Sequence, residues 1–161
     1  MQGRHHLIGI KGTGVSALAC LLHDWGVSVS GSDIPDFVFT QVALERRGIE
    51  AKSFSPANVH GAAAVIRSVA FGPTHPEVAE AMKLELPVYT YPEYVGRLTA
   101  TKETMCITGT HGKTSTAGMV AGIWQAAGKD PSYLIGDGTG HGGSGPELVL
   151  EACEYRRHFL N

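Results

Sequence analysis

Charge is sparse in this chain and nearly balanced in sign. Lysine and arginine number 13 against 15 acidic residues, for a formal net charge of −2. That excludes the strongly basic surface a nucleic-acid partner selects, so no nucleic acid is expected. Long apolar runs are missing too. No stretch approaches the roughly 18 residues that identify a membrane-spanning helix, and no basic segment followed by an apolar one opens the chain as a secretory leader would. The expectation is a cytoplasmic protein with no membrane partner. Cysteine is scarce: Cys20, Cys106 and Cys153 contain no C-x-x-C pair. Each sits beside apolar residues, so buried, reduced thiols are expected. The 8 histidines are scattered without metal-ligand spacing.

Glycine, by contrast, is abundant, at 21 of 161 residues, in a chain that is 43% hydrophobic and 17% charged. This is globular composition, with many tight turns or close backbone approaches. The length allows one domain, or one and part of a second.

Residues 5–10 read as a buried strand. They run into Gly12-Thr13-Gly14-Val15-Ser16-Ala17, a G-x-G-x-x-A turn between strand and helix. Val15, Leu18, Ala19 and Leu22 then mark one helical face, closed by Gly26. A second strand over 27–30 leads to Gly31-Ser32-Asp33, where the dinucleotide fingerprint expects an acid that accepts from a ribose hydroxyl. A structural turn with a solvated Asp33 is the bland alternative. Helices are expected over 40–47, 76–84 and 92–98, and strands over 50–54, 62–68 and 88–91. Strands alternating with helices imply a parallel sheet covered on both faces. Ligands of such sheets lie beyond the carboxyl ends of the strands. That rim carries Gly12, Thr13, Gly14, Val15, Ser16, Asp33 and Ser68.

Residues 99–104 are polar and lose the apolar period, as a linker does. A short apolar run, 105–107, then enters Gly109-Thr110-His111-Gly112-Lys113-Thr114-Ser115, and a helix is expected over 114–127 with Met119, Val120 and Ile123 facing inward. Strand, glycine loop and helix make the layout of a phosphate-binding loop. Glycines turn backbone N–H groups toward an anion, and the helix adds the positive end of its dipole. Lys113 would neutralise β/γ-phosphate oxygens and the Thr114 hydroxyl would sit on Mg²⁺. The loop is shorter than G-x-x-x-x-G-K-[ST], because Ile107 stands where that pattern has its first glycine. Strands over 132–135 and 148–150 follow, separated by 136–145, which holds six glycines and His141. That segment reads equally as a flexible connection or as backbone approaching a ligand. Glu151, at a strand end beside the loop, could hold Mg²⁺ or be a solvated charge. Arg156, Arg157 and His158 form a basic cluster.

Taken together, Gly9-Ile-Lys-Gly-Thr-Gly14, Gly31-Ser-Asp33, Thr108-Gly-Thr-His-Gly-Lys-Thr-Ser115 and Glu151-Ala-Cys-Glu-Tyr155 resemble the Mur ligases. These are ATP-dependent amide-bond-forming enzymes of peptidoglycan precursor synthesis. His111 resembles the branch that joins L-alanine to UDP-N-acetylmuramate. The resemblance covers almost the whole chain. It implies an α/β architecture: a Rossmann-like parallel sheet with helices on both faces (1–98), a linker (99–104), and an incomplete P-loop α/β domain (105–161).

The resemblance further implies that the first glycine loop takes the UDP-sugar diphosphate, with Asp33 near the uridine. Gly109 through Ser115 would hold ATP, Lys113 and His111 would act in catalysis, and Thr114 and Glu151 would surround Mg²⁺. Cys153 replaces a more usual aspartate, and the later parts of such an enzyme do not follow Asn161, so a fragment is implied. In the implied chemistry a carboxylate attacks the γ-phosphate of ATP, and the acyl phosphate formed is then attacked by an amine. Alternatives are a recycling ligase that attaches a ready-made peptide, a regulatory NAD-binding module resting on Gly12, Gly14, Ala17 and Asp33, and a small P-loop kinase. Exposed Met119, Val120 and Ile123 would favour self-association.

Overall fold

The computed structural model describes residues 3–152. Cys153 and the basic cluster of Arg156, Arg157 and His158 lie outside them. The first sheet contains β1 (His5–Ile8), β2 (Val29–Ser32), β3 (Ala51–Lys52), β4 (Ala64–Arg67) and β5 (Val88–Thr90). Its order is β3-β2-β1-β4-β5 and every pairing is parallel. Its helices are α1 (Thr13–Asp24), α2 (Gln41–Glu45), α3 (Pro76–Lys83) and α4 (Tyr91–Thr99), with a 3-10 turn at Pro56–Val59 that the sequence pattern does not announce. The expected third strand shortens to two residues.

The second sheet contains β6 (Glu103–Ile107), β7 (Ser132–Leu134), β8 (Gly140–His141) and β9 (Glu147–Glu151), in the order β6-β9-β7-β8, with α5 (Lys113–Ala126) against it. Only β8 runs antiparallel. No helix among the described residues is long and apolar enough to cross a membrane.

Both sheets pack on α1. Its period predicts one buried face, yet every residue from Val15 to Leu22 is buried. One side meets Leu7 and Ile66 of the first sheet and Val27 just before β2, and the same core includes Leu134, Leu148 and Leu150 of the second. A helix buried all round needs two partners, and the second is the glycine-rich segment. A β-carbon at Gly140 would stand 1.9 Å from the Ala17 carbonyl oxygen, and one at Gly142 would stand 2.4 Å from that of Leu21. Neither reading of residues 136–145 contains this contact at Gly140 and Gly142. Strand backbone lies directly on helix backbone there, and a side chain would force the two apart. Around the contact, Trp25 Nε1 donates to the Gly143 carbonyl (3.2 Å) and Lys102 Nζ to that of Gly145 (2.7 Å).

Two further expectations are corrected. The inward face of α5 is Ala117 and Ala121, with Val120, as expected, half-buried against the same cluster, while Met119 and Ile123 are exposed. Small residues let this helix approach Ile135 and Val149 closely. Cys106 is exposed rather than buried, because β6 is an edge strand; Cys20 is buried.

Beneath the first sheet lies a polar core. Glu77, fully buried on α3, accepts from Ser32 Oγ, from the Ser55 N–H (2.9 Å) and from Asn58 Nδ2 (2.6 Å), and pairs with His6 Nε2 at 3.4 Å. Burial opposes ionisation of this carboxyl. The hydrogen bonds from His6, Ser32, Ser55 and Asn58 outweigh that and hold its pKa down at about 2.

Candidate functional site

Four helices here are eight residues or longer, and their N-termini fall into two kinds. Those of α3 and α4 are closed by side chains. His75 accepts from the Glu77 N–H, and Thr90 with Glu93 forms a reciprocal capping box. Those of α1 and α5 begin at Gly12 and Gly112 with no side-chain cap. Orphan N–H groups at a helix start suit an anion. The two uncapped helices are the ones that follow the glycine loops.

The first loop is bound to β2. The Gly9 and Ile10 N–H groups donate to the Ser32 carbonyl at 2.9 and 3.1 Å, and Gly12 N–H returns to the Gly9 carbonyl at 3.0 Å. Asp33 accepts from the Lys11 N–H (2.7 Å, Oδ2) and from the Ile34 N–H (2.8 Å, Oδ1). Oδ2 therefore serves the loop backbone and Oδ1 the residue that follows Asp33, a role the ribose or uridine expectation does not contain. Lys11 folds away and donates to the Ile34 and Asp36 carbonyls at 2.9 Å. Of the expected residues, Gly12 and Thr13 are exposed and Gly14 is half-buried against the Tyr91 ring, whereas Val15 and Ser16 lie in the interior. Ser68 closes the rim, its N–H donating to the Ile8 carbonyl at 2.9 Å.

The second loop leaves β6. Gly112 has φ +76°, the left-handed conformation that favours glycine. Gly109, Thr110, His111, Thr114 and Ser115 are exposed, and Lys113 Nζ donates to the Gly109 carbonyl at 2.6 Å. β9 is the strand beside β6 and pairs Glu151 with Ile107. Glu151 Oε1 accepts from Thr114 Oγ1 at 3.1 Å, and Oε2 from the Gly136 N–H at 2.7 Å.

A hydroxyl and a carboxylate oxygen, side by side at an uncapped helix start, are the hard donors that Mg²⁺ takes. The described residues include no cluster of three or more His, Cys, Asp or Glu that would cage a metal. Two protein oxygens with the rest from water and phosphate is how Mg²⁺ sits on a nucleotide, so the pair fits the ion.

Sequence reasoning overlooked Lys11 and Thr40. Thr40 Oγ1 donates to the Lys11 carbonyl at 2.5 Å, and Ser16 Oγ donates to the Thr40 carbonyl at 3.4 Å. Nothing in the local pattern signals them, because their partners lie more than twenty residues away in the chain.

The profile of the Mur ligase family, catalytic domain, matches residues 4–103. The chain belongs to the Mur ligase family. A UDP-N-acetylmuramate–L-alanine ligase of Desulfitobacterium hafniense (strain Y51) is 44% identical over 163 residues, covering 97% of this chain and 36% of that relative. The chain thus spans about a third of that relative's length. Among solved Mur ligases, the UDP-N-acetylmuramate–alanine ligase of Thermotoga maritima superposes with a TM-score of 0.79 at 30% identity, over 92% of this chain and 37% of that one. The UDP-N-acetylmuramate:L-alanyl-gamma-D-glutamyl-meso-diaminopimelate ligase of Neisseria meningitides gives 0.83 at 27% identity, over 96% and 54%. The Mur ligase profile ends before the second loop, which therefore stands on its own geometry and on the longer alignment.

Proposed function

We propose that this chain carries the UDP-sugar site and the start of the ATP site of a cytoplasmic ligase that joins L-alanine to UDP-N-acetylmuramate. The observation that carries the reading is the pair of uncapped helix N-termini behind the two glycine loops, one bound to Asp33 and one facing Glu151. The 44% identity to an L-alanine-adding relative supports the choice of branch. Residues 1–98 would form the UDP-sugar domain, 99–104 the linker and 105–161 the beginning of the ATPase domain.

In this reading Gly12, Thr13 and Gly14 present backbone N–H groups to the diphosphate, with Val15, Ser16 and Asp33 as their support and Ser68 at the rim. Lys113 leaves the Gly109 carbonyl and neutralises β/γ-phosphate oxygens. His111, at the exposed tip, contacts a phosphate beside Gly109, Thr110, Gly112 and Ser115. Thr114 and Glu151 would hold Mg²⁺, which supplies charge neutralisation when bound. The substrate carboxylate attacks the γ-phosphate of ATP, releasing ADP and giving an acyl phosphate. The amine of L-alanine attacks the acyl carbon, and phosphate leaves as the amide forms. Positioning and electrostatics carry such a transfer. Exposed Met105, Met119 and Ile123 would support self-association of the isolated chain.

The superposition on the Neisseria peptide ligase favours a second reading, attachment of a peptide to the same UDP-sugar. Calorimetric titration with UDP-N-acetylmuramate, with NADH and with ATP plus Mg²⁺ tests the common part. Saturable binding of the UDP-sugar is expected. NADH binding without it would replace the proposal by a dinucleotide module.

A further inference from the structure

One short path joins the two glycine loops, and Thr40 lies at its centre. This residue, 2% exposed, precedes α2. Its hydroxyl holds the Lys11 carbonyl of the first loop. Its methyl faces the turn between β7 and β8. A β-carbon at Gly138 would stand 2.8 Å from Thr40 Cγ2 and 3.8 Å from Thr13 Cα. The turn is closed by Gly138 N–H donating to the Ile135 carbonyl at 3.2 Å and by Ile135 N–H donating to that of Thr139 at 2.9 Å. Within the same turn, Gly136 N–H holds Glu151 opposite Thr114. The chain of contacts therefore runs from the first loop through Thr40 to the turn, and from the turn to the carboxylate of the second loop.

We propose that Thr40 is a positioning residue for the ligase reaction, setting the first glycine loop and Glu151 in one fixed relation. The inference rests on the reading of the two loops given above. Hydroxyl and methyl have separate tasks. The hydroxyl shapes the loop that receives the nucleoside-diphosphate sugar. The methyl seats the turn whose Gly136 N–H holds the Glu151 carboxylate of β9. Sugar-nucleotide binding should therefore be felt at the Gly136 amide, which the packed turn links to the loop.

Two substitutions separate these tasks. Thr40→Val keeps the shape and removes the hydroxyl; Thr40→Ser keeps the hydroxyl and removes the methyl. The chain is titrated with UDP-N-acetylmuramate while amide resonances are followed by NMR and affinity by calorimetry. In the unsubstituted chain, binding should shift the Gly136 amide. Thr40→Val should weaken binding about fivefold, the worth of one neutral hydrogen bond, and retain the shift at saturation. Thr40→Ser should bind within about twofold of the parent, since its hydroxyl bond is kept, and lose the shift. A role confined to stability would lower both thermal midpoints without separating affinity from shift, and would overturn the inference. So would a Gly136 shift that persists in Thr40→Ser, or a parent chain that binds without moving Gly136; in both cases the ligase reading survives. A parent chain that binds no UDP-sugar removes the ligase reading and this inference with it.

Discussion

Around the first glycine loop the supports are buried side chains: Asp33 and Lys11 at 8% and 5% exposure, Thr40 at 2% and Ser16 at 0%. Around the second, the loop residues are exposed and the lysine is tied back to its own loop by the Gly109 carbonyl. Both end in an uncapped helix; under the proposed function the first would be set before its ligand arrives, and the second would exchange an internal contact for a phosphate. Preorganisation lowers the cost of binding, and it ties the loop to the stability of the fold. Substitutions around the first loop should therefore cost stability and binding together, whereas those around the second should cost mainly binding.

The largest effect is expected at Asp33. Asp33→Ala removes a carboxylate that accepts two backbone N–H groups. At about 1.5–3 kcal/mol for each charged hydrogen bond, the loss should be about 4 kcal/mol by denaturant titration, with UDP-sugar binding reduced at least about tenfold. A cost below about 1 kcal/mol, less than one such bond, would break the contrast.

Glu77 extends the same support, since it holds Ser32, whose carbonyl receives Gly9 and Ile10. Its folded pKa lies below its usual value of 4.5, at about 2. Its contribution is thus fully present above pH 4.5 and is lost as pH falls toward about 2. The shift corresponds to about 3 kcal/mol. Stability measured between those two pH values should decline steeply, and Glu77→Gln should flatten that limb while lowering stability at neutral pH.

Smaller effects belong to the second loop. Gly112→Ala places a β-carbon at positive φ and should cost about 1 kcal/mol, read as a lower thermal midpoint. Lys113→Ala should change stability by no more than about 0.5 kcal/mol, as a surface site allows, yet weaken binding of ATP with Mg²⁺ at least about tenfold, because a point charge on the phosphates would be gone. A destabilised Lys113→Ala would show that the second loop is part of the fold's support after all.

The two glycine loops, the helices that follow them and the position of Glu151 at a strand end were legible in the sequence, because each is a local pattern of periodicity and turn chemistry. The resemblance carried by Thr108 through Ser115 named the family that the profile match later supplied. Other features were not legible. The period of α1 showed one apolar face, and only the second sheet explains why the other is buried. The glycines between 136 and 145 left open what they approach; at Gly140 and Gly142 it is α1, and at Gly143 the backbone of Asp130 and Pro131. Asp33 fitted a ligand contact by its spacing, and nothing local announced that it also accepts from the Lys11 N–H.

By itself, then, the sequence determined local conformation: the order of strands and helices, where glycine permits a turn and where a helix follows a glycine loop. Only the tertiary structure decided which surfaces meet, because the partner of a face, of a carboxylate or of the Thr40 methyl is set by packing between segments far apart in the chain, and no local period carries that information.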